Sequence, residues 1–142
     1  TGTKLKNGMV AKVGSGSFIW PVPGYKYVSR WMGNGHRGAD ICAAYHTTII
    51  ASDSGTVVAA GWHYSWGYYV QVYHGKDDNG NTYSTLYAHM NSAPVVSVGQ
   101  NVSKGQVLGY VGSTGNSTGN HCHFEMSYNG ALFSAYTLFP GM

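Results

Sequence analysis

The amino-acid sequence predicts an all-β domain, an antiparallel sheet around a β-roll core of the barrel-sandwich-hybrid kind, with long loops between its strands. Valine occurs 14 times against 5 leucines and one glutamate, Glu125, so helices are poorly supplied while residues that suit a pleated surface abound. The 12 tyrosines add strand preference, and 21 glycines, about twice the usual ~7%, supply many tight turns without a collagen-like period.

Residues 1–16 carry Lys4, Lys6 and Lys12 among glycines and read as an extended lead-in or linker remnant; residues 17–142 read as one domain. Ser17–Val22 is a short strand stopped by Pro23 and Gly24, and the stretch from Tyr25 ends in the loop Gly33-Asn34-Gly35. Strands follow at Gly38–Ala43, Thr48–Ala51, Gly55–Gly61 and Gly67–His74. The polar turn Lys76–Asn81 joins the last of these to Thr82–Met90 as a hairpin. Val96–Gly112 repeats valines with a glycine at each reversal, the mark of a β-roll. Gly115–Gly119 is a loop, His121–Ser127 a strand, and Asn129-Gly130 a two-residue turn into Ala131–Ala135.

Charged residues are only 9% of the chain against about 25% in ordinary domains, and the net charge is +3 with scattered cations. That excludes a dense basic stripe for nucleic acid. Hydrophobic content of 43% with 14% aromatics excludes disorder, and no apolar run approaches the ~18 residues of a membrane span. The chain opens at Thr1 and reads as a processed or excised fragment, a monomeric domain of a larger parent. Cys42 and Cys122 are expected as free thiols. If His121 and His123 face a site, Cys122 faces away from it, whereas Cys42 shares the face of Asp40.

Three segments concentrate histidine and carboxylate: His36-Arg37-Gly38-Ala39-Asp40, Tyr87-Ala88-His89 and His121-Cys122-His123-Phe124-Glu125. On a strand His121 and His123 look into the same space, and two imidazoles on one buried face need a metal, a charge partner or a cleft. Gly38 permits a tight turn between His36 and Asp40, and one histidine of the distant strand completes an N,N,O set. Such a set leaves a fourth position open on tetrahedral zinc, the catalytic rather than the structural arrangement. Zinc there acidifies water and polarises a carbonyl, which is the chemistry of hydrolysis.

These segments resemble the M23 family of peptidoglycan endopeptidases, the LytM and lysostaphin type, which is marked by H-x-x-x-D, a later H-x-H and a further histidine between. The resemblance spans roughly Ser17 to Ser127, and the joint match is far more specific than either motif alone. It implies that His36, Asp40 and His123 bind Zn2+ and that His89 and His121 assist catalysis. It further implies a zinc metallo-endopeptidase acting on stem or cross-bridge peptides of peptidoglycan, in the cell wall or outside the cell, secreted or delivered on a phage particle.

No helical His-Glu-x-x-His motif is present, so a glutamate base is not expected. Glu125 shares the parity of His121 and His123 and reads equally as a partner orienting an imidazole or as an ordinary ion pair. Many relatives carry a substrate-contacting tyrosine before the first metal histidine; here Tyr25, Tyr27, Arg30 and Trp31 lie there, with Tyr27 and Arg30 as substrate-binding candidates. Trp62, Tyr64 and Trp66 form either one wall of a peptide groove or a hydrophobic cap. Arg37 contacts substrate or stays solvated, and His46, His63 and His74 read as surface or packing residues.

Two other functions fit the residues less well. A non-catalytic scaffold or activator of other hydrolases usually loses a ligand, and all are present here. Residues 99–108 match a Gly-Gln-x-Val-x-x-Gly-Gln-x-Leu pattern similar to biotinyl and lipoyl carriers, but Lys76 in its acidic turn lacks the exposed carrier-lysine setting.

Overall fold

The computed structural model describes residues 13–142 and, before them, the antiparallel backbone pairing of β1 (Thr3–Lys4) with β2 (Val10–Ala11). The remainder of the expected lead-in lies outside the described residues. Next in the chain come β3 (Tyr27–Arg30), β4 (Ala39–Cys42), β5 (Thr48–Ile50), β6 (Gly55–His63), β7 (Gly67–Lys76) and β8 (Thr82–Met90). They are followed by β9 (Asn101–Val102), β10 (Val107–Tyr110), β11 (His121–Tyr128), β12 (Ala131–Phe133) and a 3-10 turn at Ala135–Thr137.

The domain is all-β as expected, with every ladder antiparallel. The main sheet runs β3-β4-β11-β8-β7-β6-β9, and β12 extends the edge of β11 that β4 begins. A second pair, β5 with β10, packs its Ile49 and Leu108 into the same core as Val57, Val70, Val72, Tyr87 and Phe124 of the sheet. Full burial of such side chains contributes about 1.5–3 kcal/mol each.

Two local expectations are corrected. Ser17–Val22 is not a strand: Pro21 and Pro23 lack the N–H groups a ladder needs, and the segment crosses the core irregularly. It still buries Trp20 and Val22, bonded from Ile19 N–H to Ser52 O (2.8 Å) and from Ile50 N–H to Pro21 O (2.8 Å). Conversely, Tyr27–Arg30 forms an edge strand on β4 that the pattern did not single out.

Strict alternation along β11 sends Cys122, Phe124 and Met126 into the core and His121, His123 and Glu125 to the other face. On β4, Ala39 and Ile41 join the core, while Asp40 faces the histidines with Cys42 opposite His121. Both cysteines are free, and burial pushes the Cys122 thiol up to about 12.

The core also holds a polar chain in which every donor has an acceptor. Tyr87 O–H donates to Thr85 Oγ1 (2.5 Å), Thr85 O–H to His74 Nε2 (2.8 Å), and His74 Nδ1–H to the Ser54 carbonyl (2.9 Å). Ser52 N–H donates to the Tyr87 oxygen (3.0 Å). Burial depresses the His74 pKa against the opposing pull of the Ser54 bond and Asp53, which keeps the ring neutral.

Asp53, itself fully buried, ties the segment before Ser17 to the domain. Its carboxylate accepts from Ser15 N–H (3.0 Å), Ser15 O–H (2.9 Å), Gly16 N–H (3.0 Å) and Ser54 N–H (2.8 Å), with Lys104 Nζ at 3.9 Å. Asp53→Ala strands these donors and is expected to destabilise the fold by about 3 kcal/mol, lowering Tm by about 10 °C in a thermal melt. A change under about 0.5 kcal/mol would contradict this role.

Candidate active site

His36 is delivered by the Gly33–Gly35 turn, across which Gly33 and His36 exchange backbone hydrogen bonds of 3.0 and 2.9 Å. Gly38 sits at the bend between His36 and Asp40 and serves close approach as well. A Cβ there would lie 2.4 Å from the Phe124 carbonyl, so only glycine lets this loop lie flat on β11. The consequence is that Asp40 stands opposite His123 in the β4–β11 register.

His36, Asp40 and His123 bring one ligand atom each to within 4.8 Å of one another. His36 Nε2 lies 2.9 Å from Asp40 Oδ2, and His123 Nδ1 lies 3.1 Å from Asp40 Oδ1. The other His123 nitrogen, Nε2, meets Glu125 Oε2 at 2.9 Å, and the same oxygen accepts from Arg37 Nε at 3.3 Å. Glu125, 4% exposed, therefore fills both roles left open for it. Arg37 is its outer partner.

His89 reaches this face by an irregularity. In the β8–β11 register Ala88 opposes His123, so alternation alone would turn His89 toward the core beside Tyr87. The β7–β8 register instead shifts between Tyr68 and Val70, setting Ala88 and His89 against Tyr69 alone, and His89 takes φ 61°. This bulge re-aims the imidazole to 4.6 Å from the His121 ring, centroid to centroid. Gly112 bridges the two backbones: its N–H donates to His89 O (3.0 Å) and its carbonyl accepts from His121 N–H (3.1 Å).

Both rings have their tautomer set by carbonyls. His89 Nδ1 lies 2.7 Å from Thr114 O, and His121 Nδ1 lies 2.9 Å from Gly119 O with Ser117 Oγ at 3.2 Å. A carbonyl oxygen only accepts, so each Nδ1 carries a proton and Nε2 is the nitrogen each ring turns to the site. Burial, reinforced by the charges of His121 and His123 and opposed by the Thr114 bond and Asp40, depresses the His89 pKa and leaves it neutral. His121 Nε2 lies 3.6 Å from Asp40 Oδ1.

Electrostatics bind the donor set together. Burial alone would lower the pKa of His123, but its bonds and charge attraction to Asp40 and Glu125 overcome this and raise it to about 9. Burial would raise Asp40, yet the His123 bond and the charges of His121, His36 and His123 leave it lowered. Glu125 is lowered likewise by His123 and Arg37 against its burial.

A cleft of about 500 Å3 opens beside this cluster, lined by Lys26, Tyr27, Asp40, Cys42, Thr118 and His121. Tyr27 borders it opposite Cys42, and Arg30 stands exposed opposite Asp40 at the β3 edge. Trp62, Tyr64 and Trp66 are not among the residues that line it. They lie at the end of β6 and in the turn to β7, where Tyr64 is 85% exposed, Trp62 packs edge-on against Tyr68 and Trp66 is tilted against Tyr69. His63 accepts there from Ser65 and Trp66 N–H, and His46 stacks on Tyr110 (4.2 Å) and bonds Asn91, so both have packing roles. A separate apolar cleft of about 550 Å3, walled by Phe18, Tyr83, Tyr128 and Phe133, lies at the opposite end of β8 and β11 and carries none of the histidines.

The donors fit a zinc ion by their chemistry, two imidazole nitrogens and a carboxylate, with the His123 Nε2–H backed by Glu125. His36 Nδ1 is buried and has no hydrogen-bond partner among the described residues. An all-β domain with an open three-donor site, flanked by two imidazoles each held through Nδ1, defines the class of protein.

Comparison with known proteins carries this to a family. Residues 34–134 match the model of peptidase family M23, and the chain belongs to that family. It is 39% identical over 100 residues to peptidoglycan DD-endopeptidase ShyA of Vibrio cholerae, covering 70% of this chain and 22% of ShyA. The chain thus spans about a fifth of the length of that relative. Among solved structures it is similar to a zinc-containing peptidase from Vibrio cholerae (26% identity, TM-score 0.75, 84% of this chain and 39% of that one). It is also similar to the catalytic domain of the antimicrobial peptidase lysostaphin from Staphylococcus simulans (26% identity, TM-score 0.65, 95% of each chain).

Proposed function

We propose that this domain is a zinc-dependent endopeptidase that hydrolyses peptide bonds in the stem or cross-bridge peptides of bacterial peptidoglycan, as part of a longer protein acting in the cell wall or outside the cell. The observation that carries this reading is the convergence of His36, Asp40 and His123 within 4.8 Å beside an open cleft, with His89 and His121 adjoining. Family membership and the peptidoglycan substrate in ShyA's name support it. The complete donor set speaks against a scaffold that has lost its chemistry.

In this reading His36 Nε2, an Asp40 oxygen and His123 Nδ1 hold the ion. Zinc bound there supplies a Lewis acid that acidifies water and polarises a carbonyl. Glu125 keeps the proton of His123 on Nε2, which frees Nδ1 as a ligand. His89 and His121 present Nε2 lone pairs, so either can take a proton from an attacking water. The imidazolium formed is then a donor, able to return that proton to the leaving amine. Tyr27 and Thr118 border the cleft where a peptide would lie.

Metal loading is expected to be proton-coupled. The metal-free protein holds His123 protonated up to about pH 9, and that proton must leave before Nδ1 can ligate. Zinc affinity should therefore rise about tenfold per pH unit up to about pH 9 and then level off, with about one proton released per zinc at pH 7. Calorimetry in buffers of different ionisation enthalpy measures this count, and zero release would contradict it. By the same linkage, the His123 contribution to the metal-free fold is complete below the unfolded pKa of 6.5 and lost as pH rises through about 9.

The functional test is chelation and reload. Zinc-loaded protein should release new amino groups from purified peptidoglycan, lose that activity on chelation and regain it with zinc. Undiminished release from zinc-free protein would overturn the reading.

A further inference from the structure

The loop 113–120 does more for the site than wall its cleft. Thr114 uses both of its oxygens there. Its carbonyl accepts the His89 Nδ1–H at 2.7 Å. Its side-chain Oγ1 donates to the Met90 carbonyl and accepts from Tyr68 N–H at 3.1 Å. Tyr68 and Met90 oppose each other next to the bulge that turns His89 out of the core. One hydroxyl thus bonds to both strands of the irregular ladder, and the same residue's carbonyl holds the imidazole that the irregularity displaces.

The loop can come this close because two glycines meet. A Cβ on Gly67 would lie 2.3 Å from Thr114 Oγ1, and one on Gly115 would lie 2.3 Å from Gly67 N. Both have positive φ, 66° and 75°, so glycine is required for conformation as well as space. Two further backbone bonds fasten the same seam: His89 N–H to Trp66 O (2.7 Å) and Asn116 N–H to Ser65 O (2.7 Å).

We infer that Thr114 is a positioning residue for His89, its hydroxyl pinning the β7–β8 bulge so that its carbonyl fixes the His89 ring with the proton on Nδ1 and the lone pair of Nε2 toward the site. The assignment of His89 to catalysis rests on the function proposed above; the positioning of its ring does not. A non-glycine residue at φ 61° persists only where its surroundings hold it, and Thr114 supplies the polar part of that hold. Removing the hydroxyl leaves Met90 O and Tyr68 N–H without their partner and frees the carbonyl to drift, and small misplacements of a reacting group are costly.

The test pairs Thr114→Val, which keeps the shape and removes the hydroxyl, with Thr114→Ser, which restores the hydroxyl. In the zinc-loaded protein Thr114→Val is expected to lower kcat about 30-fold with KM within about threefold and zinc content unchanged, and Thr114→Ser to recover most of the loss. Nitrogen-15 NMR of the imidazoles reads the position directly: His89 carries its proton on Nδ1 in the wild type and in Thr114→Ser, and exchanges between tautomers in Thr114→Val.

Wild-type kcat in Thr114→Val together with an unchanged His89 signal would overturn the inference. So would a wild-type His89 protonated on Nε2, a result that needs no variant to fold. If the wild-type protein cleaves no peptidoglycan while the His89 signals behave as expected, the proposed function fails and the positioning role stands.

Discussion

His123→Ala is expected to abolish zinc retention and peptide cleavage together. His123 is the proposed ligand held from both sides, with Nδ1 against Asp40 (3.1 Å) and Nε2 against Glu125 (2.9 Å), and it is 7% exposed. Its loss removes one of three donors and leaves the Asp40 and Glu125 carboxylates facing a space that no longer holds a cation. Zinc affinity should fall about 10^3-fold, and turnover should fall to background. Asp40→Ala should behave alike, because its carboxylate is the point to which His36, His121 and His123 all turn. Glu125→Gln keeps the three proposed ligands and should weaken zinc only about 10–100-fold, so the three variants form a graded series read by metal titration. Full activity in a zinc-free His123→Ala protein would refute the assignment of the donor set.

The complementary result is expected at the two remaining histidines. His121→Ala and His89→Ala should retain one zinc per chain and lose about 10^2–10^4 in kcat, with KM changed only a few-fold. The distinction rests on geometry: each ring commits Nδ1 to a carbonyl, and only Nε2 faces the site. His121 and His89 lie on different elements with ring centroids 4.6 Å apart, so they can act as a unit, and the double variant should cost less than the product of the singles. Zinc loss in either single variant would move that residue into the ligand set.

Much of this arrangement was legible in the sequence because period-two alternation is a strong geometric rule. It places His121, His123 and Glu125 on one face and Cys122 on the other, and it separates Cys42 from Cys122, as the β4–β11 register does. Where regularity broke, the residue pattern was silent. Nothing in Tyr87-Ala88-His89 signals the bulge that carries His89 to the site, and the loop 113–120 acts through backbone carbonyls of Thr114 and Gly119, which carry no residue identity. At Gly38 flexibility and smallness look the same in a sequence, and only the fold shows that a Cβ there would lie 2.4 Å from the Phe124 carbonyl. The aromatic run Trp62, Tyr64 and Trp66 reads equally as a groove wall or a cap, because its rings pack on Tyr68, His63 and Tyr69 while the Ser65 and Trp66 carbonyls bond Asn116 and His89. Proline likewise dissolved the strand expected at Ser17–Val22 while leaving Trp20 and Val22 buried, because burial depends on side-chain pattern and a ladder depends on N–H groups.

The most direct test of the account is mass spectrometry of the fragments released from purified peptidoglycans of two cross-bridge types by zinc-loaded protein, with His121→Ala as control. New amino termini at a defined peptide bond in at least one wall type, absent with His121→Ala, are the predicted result. A zinc-bound protein that releases no fragments from either wall, or a His121→Ala protein that releases them at the wild-type rate, would contradict it.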